Sequence, residues 1–224
     1  MKSNEDLQKD VQNALKWEPL LNAAEIGVTA KDGVVTLTGV VDSYYKKSEA
    51  ENAAKNVLGV KVVVEKIEIK YSNIWAKKDD NEIATEVVNA FKWNSHIPKD
   101  NVHVKVEKGW VTLDGEVQWN YQKEAAKTIV KNLMGVMGVS NNIQIKSETH
   151  DVVEKYDIED ALMRNWTVND QDIHVKVEGT KVTLSGKVGS WFQKEEAERI
   201  AWNAPGIWNI DNLLAVDYGL SLID

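Results

Sequence analysis

The chain has 224 residues, 43% hydrophobic and 28% charged, with a formal net charge of −8 and no cysteine. That balance is ordinary globular material and excludes a disordered or membrane-spanning chain, while the missing cysteine removes disulfides, thiolate metal sites and cysteine nucleophiles together. Residues 1–72 hold 10 Lys against 11 acids, 73–147 hold 10 Lys against 9 acids, and 148–224 hold 7 basic residues against 15 acids, so the excess acid lies in the last third. No basic stripe is left to track a phosphate backbone, and nucleic acid is excluded as a partner.

Taken in order, the N-terminus Met1-Lys2-Ser3-Asn4-Glu5-Asp6 puts acids where a signal peptide needs its apolar stretch. The chain as written is therefore expected in the cytoplasm, and in the periplasm if a leader precedes it. No transmembrane segment is expected. Leu7, Val11, Ala14 and Leu15 then recur at helical spacing, which predicts a first helix with one inward stripe. Alternation through Ile26, Val28 and Ala30 predicts a half-buried strand, Asp32-Gly33 a tight turn, and Val35 and Leu37 a second strand, together a β-hairpin. Ala50, Ala53, Ala54 and Val57 predict a second helix with a small-residue face, closed by Gly59, and Ile67 and Ile69 a third strand.

The same series returns twice. Gly33-Val34-Val35-Thr36-Leu37-Thr38-Gly39 reappears as Gly109-Trp110-Val111-Thr112-Leu113-Asp114-Gly115 and as Thr180-Lys181-Val182-Thr183-Leu184-Ser185-Gly186. The offsets are 115 − 39 = 76 and 186 − 115 = 71, and they carry Ala50 to Ala126 to Ala197 and Gly59 to Gly135 to Gly206. The expected fold is α+β: three tandem α-β-β-α-β modules, each a three-stranded mixed sheet covered on one face by two helices. Their expected bounds are 1–72, 78–147 and 152–218, with short charged linkers near Tyr71 to Asp80 and Ser147 to Tyr156.

The element order, the Val-Thr-Leu-Thr-Gly core, Lys47-x-x-Ala50 and the Gly-Val before the last strand resemble the BON domain, the family named for bacterial osmotically induced and nodulation proteins. The resemblance covers all three repeats. It implies non-catalytic modules, often secreted or envelope-associated, that bind phospholipid surfaces or protein partners under osmotic or envelope stress.

Little here suggests chemistry. His103 and His174 occupy equivalent outward strand positions, which reads as solvated histidine rather than a metal pair; His96 and His150 fall in a loop and a linker and take no role. Glu195-Glu196 and Glu159-Asp160 read as solvated helix faces. No catalytic residue, metal site or cofactor is expected, and no phosphate-binding glycine loop or nucleophile elbow is present.

The nine tryptophans carry the binding argument. Trp17 and Trp93 recur with each other at a helix end and read as packing residues, and Tyr45, Tyr121 and Phe192 as staples of the second helix. Trp75 and Trp166 take no role. Trp110, Trp119, Trp191, Trp202 and Trp208 stand where sister modules carry lysine, serine, valine, asparagine or tyrosine, so each calls for a partner, either a neighbouring module or an external ligand. Lys46 and Lys47 follow Tyr44, Lys123 follows Tyr121, and Lys194 follows Phe192, a pairing of amphipathic rings and snorkelling cations that suits a headgroup region. These ten residues, Tyr44, Lys46, Lys47, Trp110, Trp119, Lys123, Trp191, Lys194, Trp202 and Trp208, are the candidate binding set. The function expected is that of a non-enzymatic, stress- or envelope-related protein that associates with a phospholipid surface or a protein partner. A scaffold whose modules mainly pack on each other is the alternative, and the sequence leaves the oligomeric state open.

Overall fold

The computed structural model describes residues 2–71, 78–98, 100–146, 154–168 and 172–217. The first module runs α1 (Asn4–Trp17), a 3-10 turn (Ala23–Glu25), β1 (Ile26–Lys31), β2 (Val34–Val41), α2 (Tyr44–Lys55) and β3 (Val62–Ile69). The second runs α3 (Asp80–Trp93), β4 (Val102–Glu107), β5 (Trp110–Val117), α4 (Asn120–Lys131), β6 (Gly138–Asn141) and β7 (Gln144–Ile145). The third runs α5 (Lys155–Arg164), β8 (Asp172–Glu178), β9 (Lys181–Val188), α6 (Trp191–Ala201), β10 (Asn209–Asn212) and β11 (Ala215–Val216).

The middle strand of each sheet pairs antiparallel with its hairpin partner and parallel with the strand after the crossover helix, so each sheet is mixed, as the crossover requires. Leu7, Val11 and Leu15 of α1 pack with Val35, Leu37, Ala50, Ala54 and Ile67 in one core, and two equivalent cores repeat the arrangement. The expected third strand is continuous in the first module and interrupted after Asn141 and Asn212 in the others. There the asparagine side-chain Oδ1 accepts from the backbone amide two residues on, Ile143 and Leu214, at 3.3 Å each. Glu65 makes the same contact to Ile67 in the first module from a longer side chain.

Why the repeated motif ends in glycine is visible in the geometry. Gly39, Gly115 and Gly186 have φ of 132°, 133° and 117°, and a Cβ there would stand 2.0, 1.9 and 1.9 Å from the carbonyl oxygens of Glu25, Asn101 and Asp172. Only glycine lets the strands cross that closely. The Asp32-Gly33 and Lys108-Gly109 turns have both residues at positive φ, the hairpin conformation that matches strand twist. Asn4 and Asp80 at the helix starts accept from the amides of Asp32 and of Lys108 and Gly109, each at 2.8 Å. Each of these modules thus has a turn end, where the first helix begins, and an opposite end, where that helix stops.

The first helix of the third module, α5, has 10 residues where α3 has 14. The offset of 71 carries the buried Ile83 to position 154, which is Glu154, the N-cap of α5.

Candidate binding surfaces

Side chains of one module reach the next at three places. In the first junction, Tyr44 packs against the core of the second module and its hydroxyl meets the Val139 backbone; burial pushes the phenol above its usual pKa. The Lys131 ammonium pairs with Glu49 at 2.6 Å, with both side chains mostly covered, and lies 5.0 Å from the Tyr45 ring centre. The Tyr71 hydroxyl donates to the Val136 carbonyl at 3.4 Å, and burial raises its pKa too. A cleft of about 270 Å³ lined by Asp42, Ser43, Tyr71 and residues 132–135 remains between them.

In the second junction Trp202, at the position of Lys131, packs against the cores of both the second and third modules. Its indole N–H donates to Glu198 at 3.4 Å. Lys123 is half-buried, and desolvation lowers its pKa while Glu198 of the next module opposes the shift. In the third, Lys61 of the first module lines a cleft of about 460 Å³ with Trp191, Lys187, Lys194 and residues 214–217 of the third. Positions 61, 137 and 208 are equivalent by the repeat offsets, so Lys61 stands where Met137 receives Tyr71 at 3.6 Å. The modules therefore meet head to tail and the third returns to the first, a heterologous arrangement that closes on itself.

The remaining candidates lie elsewhere. Trp110 is 50% exposed on the open sheet face and lies flat over Gly138, where a Cβ would stand 2.3 Å from the ring; its N–H donates to Ser140 at 2.9 Å. The same spot holds Val34 beside Val62 in the first module and a Lys181–Asp211 pair at 2.6 Å in the third. Trp119 sits half-buried at the N-cap of α4, where Gln122 accepts from the Trp119 amide at 3.0 Å. Trp208 is 38% exposed. Lys46 pairs with Asp42 at 2.6 Å and holds that carboxyl below its usual pKa, and Lys47 bridges Glu65 at 2.8 Å and the Ile67 carbonyl at 2.9 Å. The ten candidates thus fall into junctions and sheet faces and do not gather on one surface.

Two expectations require correction. Trp17 and Trp93, read as packing residues, are 86% and 91% exposed, and Trp166, given no role, is 86% exposed. All three stand at or just beyond the last residue of the first helix of their module, at the end away from the turn. The helical period held this signal: Trp17 and Trp93 follow the last buried stripe residues, Leu15 and Phe91, by two positions, about 200° around the helix. Tyr121 and Phe192 do not staple their helices either; both are exposed in the first turn, and His96 meets Tyr121 edge-on at 5.9 Å. Lys16 and Lys92 flank Trp17 and Trp93 with no described carboxylate paired to them, and Arg164 precedes Trp166 by two, paired with Asp160 at 2.8 Å.

Among the described residues, no group of three His, Asp or Glu side chains is placed to hold a metal, and no helix is long and apolar enough to cross a membrane. His103 is exposed on its strand, and His174 lies 3.2 Å from Asp172 at the surface. His150 and Trp75 lie outside the described residues.

A family model, the BON domain, matches residues 3–71, 79–147 and 156–218. Osmotically-inducible protein Y of Escherichia coli (strain K12) is 30% identical over 139 residues, 61% of this chain and 69% of that protein. Among solved structures, CdsD, a structural protein of the type III secretion system of Chlamydia trachomatis, is 17% identical with a TM-score of 0.26, over 95% of this chain and 92% of that one. Its C-terminal domain is 16% identical with a TM-score of 0.27, over 96% and 100%.

Proposed function

The chain belongs to the BON domain family, and from that membership we propose that it is an osmotic-stress protein that binds rather than catalyses, resting on anionic phospholipid surfaces through Trp17, Trp93 and Trp166. One observation carries the reading: each module leaves an indole 86–91% exposed at the same end. An isolated solvent-facing tryptophan has no packing role in the chain, and three of them beside cations suit the headgroup layer, where an amphipathic ring is half wet and half apolar. Charge ranks the modules. The first two are near neutral and bring Lys16 and Lys92, so Trp17 and Trp93 carry the binding, while the acidity of the third module makes Trp166 the weakest contact. The relative induced by osmotic stress supports the stress assignment.

The test is tryptophan emission of the purified protein titrated with anionic and then zwitterionic vesicles at low and physiological salt. A blue shift with anionic vesicles that weakens with salt is expected. No shift with either vesicle would sink the lipid reading and leave a protein partner for the same rim. A second reading, a scaffold whose extra tryptophans join the modules, draws on Trp202 lying against two cores.

A further inference from the structure

Trp110 is held in place on the open sheet of the second module. One face of its ring lies against Gly138, where a Cβ would stand 2.3 Å from the ring, and its indole N–H donates to Ser140 at 2.9 Å. Both the tilt and the rotation of the ring are thereby fixed. The other face meets solvent, and half of the residue stays exposed. A ring fixed in this way has already given up the rotamer freedom that binding would otherwise remove.

The strands extend this platform with hydrogen-bonding groups. Side chains alternate across a strand, so Trp110, Thr112 and Asp114 share the face away from the core residues Val111 and Leu113. Register sets Lys105 and His103 opposite Thr112 and Asp114 on one side, and Ser140 opposite Thr112 on the other. From Trp110 to Asp114 the strip runs about 14 Å. Its charges are largely cancelled: Lys105 pairs with Glu107 at 3.1 Å, and Lys146 with Glu116 at 3.3 Å. Asp114 accepts from the Asn142 side-chain amide at 3.1 Å through one oxygen. Its second oxygen, the Thr112 hydroxyl and the exposed His103 ring have no partner among the described residues. The sister sheets lack the arrangement. Trp110, Gly138 and Ser140 correspond to Val34, Val62 and Val64 in the first module, and in the third to Lys181, Asn209 and Asp211, where Lys181 and Asp211 pair at 2.6 Å.

We infer that this face of the second module binds a neutral glycan. A pyranose is amphipathic in the same way as the strip: its C–H face stacks on the open side of Trp110, and its hydroxyls donate to Asp114 and exchange hydrogen bonds with Thr112 and His103. A β-1,4-linked chain, a flat ribbon with equatorial hydroxyls, lies along β5 without bending. Charge selects against other stacking ligands. A nucleotide would stack equally well, but its phosphates find no surplus cation here, since both lysines of the face are paired. The site is separate from the tryptophan rim, and either assignment stands if the other fails.

The experiment follows the indole N–H signals of the full chain by two-dimensional proton–nitrogen NMR during titration with cellohexaose, chitohexaose and adenosine monophosphate. The Trp110 signal is identified by its loss in Trp110→Val, which installs the residue of the first module. It moves saturably with the two glycans, at a dissociation constant on the order of 1 mM, and the rim tryptophans stay still. Trp110→Val abolishes binding as read from the Thr112 and Asp114 amides, and Asp114→Ala weakens it about tenfold, the worth of one charge-assisted hydrogen bond. Gly138→Ala keeps every contacting group but lifts the ring, and it weakens binding as well; should it misfold, Trp110→Val carries the test. No movement of the Trp110 signal with either glycan, a larger response to adenosine monophosphate, or full binding in Trp110→Val overturns the site.

Discussion

The junction between the first and second modules and the one between the third and first use corresponding positions with opposite chemistry. In the former, Glu49 and Lys131 pair at 2.6 Å, with the Lys131 ammonium 5.0 Å from the Tyr45 ring centre. In the latter the corresponding positions hold Glu196 and Lys55, which turn to partners within their own modules, Arg199 at 2.6 Å and Glu51 at 2.6 Å. Lysines and one indole line the cleft instead. The second junction replaces Lys131 with Trp202, which packs on two cores at once. Three modules of one fold risk docking in the wrong order. Giving each junction its own chemistry makes wrong pairings leave buried charge unpaired or apolar surface exposed.

The largest expected effect breaks the Trp202 junction. Trp202→Ala removes a side chain shared by two cores and costs about 3 kcal/mol in denaturant unfolding, with the second and third modules losing stability together. A loss confined to the third module would mean that the shared packing does not couple them. Next comes the ion pair: Glu49→Ala leaves Lys131 mostly covered without its acid and costs about 1–2 kcal/mol. In a double-mutant cycle with Lys131→Met, a coupling energy near zero would reduce the pair to a surface contact.

A pH titration sharpens the same contrast. Burial raises the pKa of Tyr44 and Tyr71, so the fold favours the neutral phenols. Their stabilisation is complete below the ordinary tyrosine pKa of about 10 and is lost as pH rises through the higher folded values. Denaturant midpoints taken on either side of that range fall less in Tyr44→Phe/Tyr71→Phe than in the parent; an equal fall would place the alkaline sensitivity elsewhere. The smallest effect is on the rim. Trp17→Ala and Trp93→Ala change stability by less than about 0.5 kcal/mol, and a larger loss would restore the packing role that the helix-end position first implies.

The fold was legible because each signal occurs three times. The stripe of Leu7, Val11 and Leu15, the alternation of Val35 and Leu37 and the motif glycine each have a fixed structural cause, and chance recurrence at offsets of 76 and 71 is excluded by their number. The binding surfaces were less legible, for two reasons. Recurrence alone implies packing, yet exposed Trp17 and Trp93 recur as well, and only their angle from the apolar stripe separates the two cases. Junction contacts depend on how modules meet, which no local period encodes: Lys131 and Trp202 share a position and differ entirely in partner. Lysine or serine at a sister position did mark surface, but for Trp202 that surface faces another module, and for Trp110 it is the backbone of Gly138.

The most direct measurement compares anionic vesicle binding of the parent with Trp17→Ala/Trp93→Ala and with Trp119→Ala/Trp191→Ala, each checked for an unchanged fold by circular dichroism. Rim binding predicts that the first pair abolishes vesicle association with the Tm unchanged, while the second pair lowers the Tm and leaves the association of the folded protein intact. Full binding in Trp17→Ala/Trp93→Ala would contradict it.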